Sequence, residues 1–384
     1  MKHWNTAVIG AGFIGRVHLE AIRRLGHIQI AALADPELEK AKQLGSEFSV
    51  GRVEADFHGI LEDRSIDAVH VCTSNHLHFP VAKAALEAGK HVLCEKPPAT
   101  SVSDAKALAA AASQARKRNC LCHNLRHYPA VQQMRAMRDA GELGEVLVVQ
   151  GTYSRDWLAE ETDWNWRVLS SAGGPSRCMA DIGSHWFDMA EHVTGCRVSA
   201  LCSDLHTFHK TRKRPRAAIE TFAGKLLRPD DYDAVEIDTE GFGAVLFRMG
   251  SRTRGAMTAS QVSRGRKNRL NLEIYGSKCG VAWDQERPDQ LWIGYRNANN
   301  QMLVKDPSLL LDSARRFADL PGGHSEEYDD TFKQVFRRSY ASLEDPTMEP
   351  EYPQFRDGLR QLQLVQAELE SSRKQGWVEV SDAC

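Results

Sequence analysis

The sequence predicts two domains: an α/β domain on a doubly wound parallel sheet, then an α+β domain on a large, mainly antiparallel open sheet. Three observations carry this. The chain has 384 residues, too many for one ordinary core when domains run to roughly 100–200 residues. Up to residue 124, short apolar runs alternate with segments of helical periodicity, the pattern of repeated strand–helix–strand units. Beyond it, apolar runs succeed one another across turns, as antiparallel strands do.

In chain order, Thr6 to Gly10 reads as a strand, Gly15 to Leu25 as a helix and Gln29 to Asp35 as a second strand. A helix over Glu37 to Phe48, a strand at Ala68 to Ser74, a helix over Phe79 to Ala88 and a strand at His91 to Glu95 follow. Their continuous apolar character suits a sheet covered on both faces. Ser101 to Arg118 is alanine-rich, with Ser101 and Ser103 as candidate caps and Asp104 near the positive helix end. After Leu121 to His123, the run Arg126, His127, Tyr128, Pro129 leads into a helix to Ala140, which Gly141 and Gly144 stop.

Strands of the second sheet are expected at Val146 to Arg155, Val198 to His206, Ala234 to Met249, Thr253 to Ser263, Arg269 to Tyr275, Gly280 to Trp283 and Gln290 to Ile293. A helix from Ile182 to Val193 interrupts them. Helices return at Glu326 to Leu343 and Pro353 to Arg373, and Val378 to Val380 is expected to rejoin a sheet. The domains are placed at 1–124 and 125–384, with the C-terminal helix free to pack back on the first. No repeat or low-complexity segment is visible.

Hydrophobic residues make up 42% and charged residues 26%, close to soluble averages, so composition suggests neither disorder nor a membrane protein. A formal charge of -2 gives no general attraction to nucleic acid or anionic lipid. The basic run Lys210 to Arg216 lacks aromatic interleaving and reads as a solvated loop. Nine cysteines, the last of them Cys384, are scattered without a framework, as reduced thiols of a cytoplasmic protein are. The closest pair, Cys120 and Cys122, has no second pair beside it, so no metal is expected. Met1 to Gly10 runs straight into a strand, so no signal peptide is expected.

The sharpest motif is G-x-G-x-x-G between the first strand and helix, with Gly10, Gly12 and Gly15 at the fixed positions and Phe13 and Ile14 between them. The first glycine permits the turn, the second lets a pyrophosphate approach, and the third lets helix and strand pack. Free N–H groups at the helix start face the phosphates. Asp35 lies 20 residues beyond Gly15, where a carboxylate accepts from ribose hydroxyls and repels a 2′-phosphate. This is the Rossmann pattern, with NAD favoured; NADP stays open should Lys40 compensate. The bland alternative is a glycine turn with Asp35 as an ordinary cap.

Thr73, Ser74, Asn75 and His76, with His78, follow the Ala68 strand, and Glu95 and Lys96 precede Pro97 after the next. Ligands of open parallel sheets bind beyond such strand ends. A lysine beside a cationic nicotinamide suits proton transfer, although it also suits a solvated strand end. Asp181 and His185 are four apart and share a face if the helix has begun, forming an acid/base unit. Equally, Asp181 can be a helix cap and His185 a packed core residue.

Together these residues resemble the Gfo/Idh/MocA oxidoreductases. The ordered set is G-A-G-F-I-G at 10 to 15, T-S-N-H-L-H at 73 to 78, C-E-K-P at 94 to 97, R-H-Y-P at 126 to 129 and D-I-G-S-H-W-F-D at 181 to 188. The resemblance covers essentially the whole chain. It implies His185 as general acid/base, Asp181 orienting it and binding substrate hydroxyls, and Lys96 binding the reacting oxygen. It also implies that Thr73, Asn75, His78 and Glu95 line the cofactor. Arg126 and Tyr128 match a pocket loop of the family, and Asp163 to Arg167, with Trp164, Trp166 and Arg167, a segment over the substrate. Gly322 to His324 is similar to a glycine–histidine loop near family active sites, although the following Ser-Glu-Glu-Tyr departs from the pattern.

The resemblance therefore implies a hydride-transferring dehydrogenase acting on a secondary alcohol of a sugar, sugar derivative or inositol, working as a homodimer or homotetramer through the second-domain sheet. Two other functions fit the fold: transient oxidation of a glycoside with tightly held NAD, and a non-catalytic sugar or dinucleotide sensor. The lysine, aspartate and histidine together speak against the sensor.

Overall fold

The computed structural model describes residues 3–216, 231–345 and 347–380; Cys384 lies outside them. Two compact units result. The first combines Met1–Asn124 with Tyr328–Leu362, and the second Leu125–Glu327 with Gln363–Ala383.

In the first unit, among the described residues, six parallel strands lie in the order Val53–Glu54, Ile28–Ala34, Trp4–Ile9, Ala68–Val71, His91–Cys94 and Asn119–Leu121. Period-2 alternation sends successive side chains to opposite faces. Thus Val8 and Leu33 join a core with Val17, Ile22, Phe332, Phe336 and Tyr340, whereas Ala7, Ile9 and Val69 join another with Val81, Ala85, Leu108 and Phe355. The expected doubly wound sheet is therefore present. The strand order reverses between Trp4–Ile9 and Ala68–Val71, so the loops after these two strands flank a switch-point crevice.

In the second unit, a nine-stranded sheet runs Gln301–Val304, Gln290–Gly294, Gly280–Asp284, Arg269–Gly276, Val146–Ser154, Thr253–Ser260, Phe242–Met249, Val198–His206 and Val378–Glu379. Neighbours are antiparallel except Thr253–Ser260 beside Val146–Ser154. One face is apolar and buried through Leu270, Leu272, Ile274, Val245 and Phe247. The helix Ser184–Thr194 packs there, with Trp186 edge-on to Phe247 at 5.8 Å and its indole N–H donating to the Asn271 carbonyl at 2.9 Å. On the opposite face Val148, Leu246, Met302 and Val304 are exposed. Val378–Glu379 rejoins this sheet beside Leu201. Among the described residues no helix is long and apolar enough to cross a membrane.

Several expectations need correction. Ala234 to Met249 is not one strand: Tyr232–Glu236 pairs with Thr211–Pro215 in a separate ribbon, and only Phe242–Met249 enters the large sheet. The basic run at 210–216 is therefore mostly strand rather than solvated loop. Its neighbours point outward, but Arg212 is buried, donating to the Leu158, Glu160 and Asp163 carbonyls at 2.7–3.0 Å. The helix expected from Phe79 begins at Asn75, and Pro80, which resembles a helix start, sits inside it. The helix expected from Ile182 is preceded by a π-type turn, Met179–Gly183. Val53–Glu54 and Gln301–Val304 were not expected as strands.

Candidate active site

The glycine loop is shaped as its motif requires. Gly10 sits at φ +111°, and a Cβ there would lie 2.5 Å from the Cys72 carbonyl oxygen. A Cβ on Gly15 would lie 2.0 Å from the Gly10 oxygen, so only glycine lets the helix Phe13–Arg23 approach the strand. A Cβ on Gly12 would meet nothing within 4 Å: the protein leaves the space over that backbone open, as an approaching pyrophosphate needs. Phe13 is more than half exposed, and Ile14 packs on the core. Asp35 closes the loop, accepting the Ala11 amide at 2.7 Å on one oxygen and the Glu37 amide at 2.9 Å on the other. These residues fit a dinucleotide.

Across the crevice, Ser74 caps the helix Asn75–Glu87 without a side-chain bond, its hydroxyl lying 3.3 Å from His76 Nδ1. Thr73 is half-buried and Asn75 buried. His78 is pinned rather than offered: its ring spans the Pro97 carbonyl at 2.6 Å and the Thr73 carbonyl at 3.0 Å, bracing both strand-end loops. Glu95 is buried with one oxygen 3.1 Å from His18 Nε2 and the other 3.3 Å from the Lys96 amide. The Lys96–Pro97 peptide is cis.

In the second unit, Asp181 lies within helical structure, its amide donating to the Arg177 carbonyl at 2.8 Å, so it does not begin the helix. Its carboxylate accepts from Gln261 Nε2 at 3.0 Å and lies 3.6 Å from Arg167 Nε. His185 follows one turn later, buried, with the Tyr153 ring edge-on at 6.5 Å. Burial pushes the Tyr153 hydroxyl up to about 12, so it stays protonated. Arg167 is held from several sides: its guanidinium lies 4.3 Å from the Trp166 ring centre, and the Asn165 side chain accepts its amide at 3.1 Å. The result is a guanidinium set beside both a carboxylate and an indole, groups that suit the hydroxyls and apolar face of a polyol.

The other candidates have different surroundings. Arg126 grips buried Asp188 with a fork of two hydrogen bonds. Tyr128 is buried against Trp283 at 5.0 Å. Trp164 packs on Leu158, Val168 and Ile237. His324 is exposed, but its carbonyl and that of Leu320 accept from the buried Lys305 ammonium, which pairs with Glu326 at 3.0 Å. The Ser-Glu-Glu-Tyr departure thus supplies the partner that anchors this loop.

Three residues escaped the sequence reading. Gln261 directly follows the strand Thr253–Ser260 with no motif around it, and Arg212 was hidden in a basic run. His18 lies one helical turn beyond Gly15, a spacing that was the only signal available.

Comparison with known proteins follows this geometry. A family model described as oxidoreductase family, NAD-binding Rossmann fold, matches residues 4–123, and one described as the GFO/IDH/MocA C-terminal domain matches residues 131–282. Levoglucosan dehydrogenase of Pseudarthrobacter phenanthrenivorans is 28% identical over 99% of both chains. A levoglucosan dehydrogenase structure in complex with NADH and L-sorbose superposes with a TM-score of 0.89 at 25% identity, covering 99% of this chain and 100% of that one. An oxidoreductase domain protein from Kribbella flavida gives 0.90 at 28% identity, covering 100% of each.

Proposed function

Because the chain belongs to the Gfo/Idh/MocA oxidoreductases, with an NAD-binding Rossmann fold and the family's C-terminal domain, we propose that it oxidises a secondary alcohol of a sugar, sugar derivative or inositol. Bound NAD+ supplies the hydride acceptor. Gly10, Gly12, Gly15 and Asp35 would hold it. His185, buried one turn beyond Asp181, takes the hydroxyl proton. Asp181, kept in place by Gln261 and Arg167, accepts from a neighbouring hydroxyl and favours the imidazolium that forms. Lys96 donates from its ammonium to the reacting oxygen. The single observation that carries this reading is the Asp181 carboxylate, held by two side chains on the turn before buried His185.

The exposed sheet face with Val148, Leu246, Met302 and Val304 is the surface that a second copy would cover in a homodimer or homotetramer. A cytoplasmic setting suits the free cysteines.

The test is NAD+ reduction by the purified protein with levoglucosan, glucosides and inositols, beside Lys96→Ala and His185→Ala. Turnover that falls by roughly 10²–10⁴ in each variant supports the assignment. Turnover unchanged in His185→Ala overturns it.

A further inference from the structure

His18, Glu95 and the Lys96 backbone form a buried chain. His18 Nε2 lies 3.1 Å from one Glu95 oxygen, and the other oxygen accepts the Lys96 amide at 3.3 Å. Behind His18 the chain continues: its Nδ1 lies 2.9 Å from His70 Nδ1, and His70 Nε2 lies 2.9 Å from the Tyr340 hydroxyl. His18, His70 and Tyr340 are fully buried.

Proton counting orients this chain. An ionised Glu95 only accepts, so His18 Nε2 must carry a hydrogen. A neutral His18 then accepts at Nδ1, which requires His70 to donate from Nδ1 and to accept at Nε2 from Tyr340. Burial holds His70 well below the usual histidine range and pushes the Tyr340 hydroxyl up, so one stays neutral and the other keeps its proton. Every hydrogen points toward Glu95. A protonated His18 would leave its bond to Glu95 unchanged.

We infer that His18 is a positioning residue, locking the Glu95 carboxylate ionised and oriented against Lys96 and so setting the charge and place of the lysine used in the reaction. This rests on the reading of Lys96 as catalytic. Burial alone would raise the Glu95 carboxyl, but the hydrogen bond from His18, with Lys96 and His78 nearby, outweighs it and holds the group below the usual range. The thiols of Cys72, Cys94 and Cys122 lie near enough to feel the Glu95 charge, and burial keeps all three protonated. Ionised Glu95 is thus the counter-charge nearest Lys96 in sequence. Without the His18 donor, a carboxyl in this apolar setting takes up a proton.

The test is a double-mutant cycle of His18→Leu and Glu95→Gln, with His18→Gln as the conservative variant and Lys96→Ala beside them. His18→Leu should lower kcat about tenfold or more, as for one lost charge-assisted hydrogen bond. The sugar KM and NADH affinity should hold within about twofold, and the kcat limb governed by the lysine should move to lower pH. Glu95→Gln keeps the side-chain volume and should move the same limb even if His18→Leu folds poorly. The double variant should be no worse than the worse single, since both remove one interaction, and His18→Gln should restore part of kcat. A fixed pH limb, additive losses, or a changed KM alone would overturn the inference. So would stoichiometric zinc in the purified protein, because a metal held by His18, Glu95 and Cys122, whose donor atoms lie within 4.8 Å of one another, would displace the Nε2 hydrogen. Loss of turnover in Lys96→Ala with intact His18→Leu sinks the positioning alone; full turnover in Lys96→Ala sinks the catalytic reading and the positioning with it.

Discussion

The Asp35 carboxylate accepts the Ala11 amide at 2.7 Å, joining the end of the second strand to the middle of the glycine loop. One oxygen therefore shapes the loop, while the pair of them carries a negative charge that would repel a 2′-phosphate. Asp35→Ser removes both. NAD+ affinity should fall about 10–100-fold, the worth of a charge-assisted hydrogen bond or two, while NADP+ affinity rises or holds. Fluorescence titration with NADH and NADPH measures this, and an unchanged preference would contradict the assignment.

The glycines separate a structural role from a binding one. A Cβ on Gly15 meets the Gly10 carbonyl at 2.0 Å, whereas on Gly12 it meets no protein atom within 4 Å. Gly15→Ala should therefore lower the melting temperature by several degrees, as a core clash of about 1–3 kcal/mol does. Gly12→Ala should melt like the parent yet bind NADH at least tenfold more weakly. Normal NADH affinity in Gly12→Ala would show that no ligand approaches that backbone.

What the sequence made legible follows from periodicity. Leu270, Leu272 and Ile274 alternate as a one-sided strand must, and they do line one sheet face. The glycine loop was legible because Gly10 and Gly15 have steric reasons within the fold, while Gly12 leaves open the space a ligand would take. What was not legible depended on distant partners. The two-residue strand Val53–Glu54 has no pattern of its own and is set by Leu33 and Ala34 beside it. Arg212 looks like its exposed neighbours until the carbonyls of a segment some fifty residues away are in place. His18 and Glu95 are 77 residues apart, and nothing in either local sequence announces the pair. Asp181 could be read as a helix cap until the π-type turn placed it within helical structure.

Arg212 gives a prediction about the segment before Trp164. Its guanidinium donates to the carbonyls of Leu158, Glu160 and Asp163, the stretch leading directly into Trp164, Trp166 and Arg167. Burial lowers it to about 10, so it remains charged at neutral pH. Arg212→Met keeps much of the volume but leaves three carbonyls without their donor, at about 1 kcal/mol or more each. The variant should lose several degrees in melting temperature and raise the sugar KM, with NADH affinity unchanged. Equal sugar KM in parent and variant would separate this segment from substrate binding.

Glu368 sets an alkaline limit on stability. Its side chain is almost fully buried in the second unit, and among the described residues neither carboxyl oxygen has a hydrogen-bond partner. Burial first, and then the Glu240 charge, push its carboxyl well above the usual range. One oxygen of Glu240 accepts from the Ser176 hydroxyl and the Arg177 and Met179 amides. The folded protein therefore keeps the Glu368 proton at pH values where the unfolded chain has released it. Stability from this group is fully present below the unfolded carboxylate pKa, and it falls as pH rises toward the folded value, at up to about 1.4 kcal/mol per pH unit. Glu368→Gln removes the titration while keeping shape and polarity. Thermal unfolding from pH 5 to pH 9 should show the parent losing stability across the window and the variant losing less, with the gap widening toward pH 9. Parallel curves would mean that Glu368 finds a partner or ionises in the folded state. A variant that is less stable than the parent at every pH would mean that its protonated carboxyl makes an interaction the amide cannot replace.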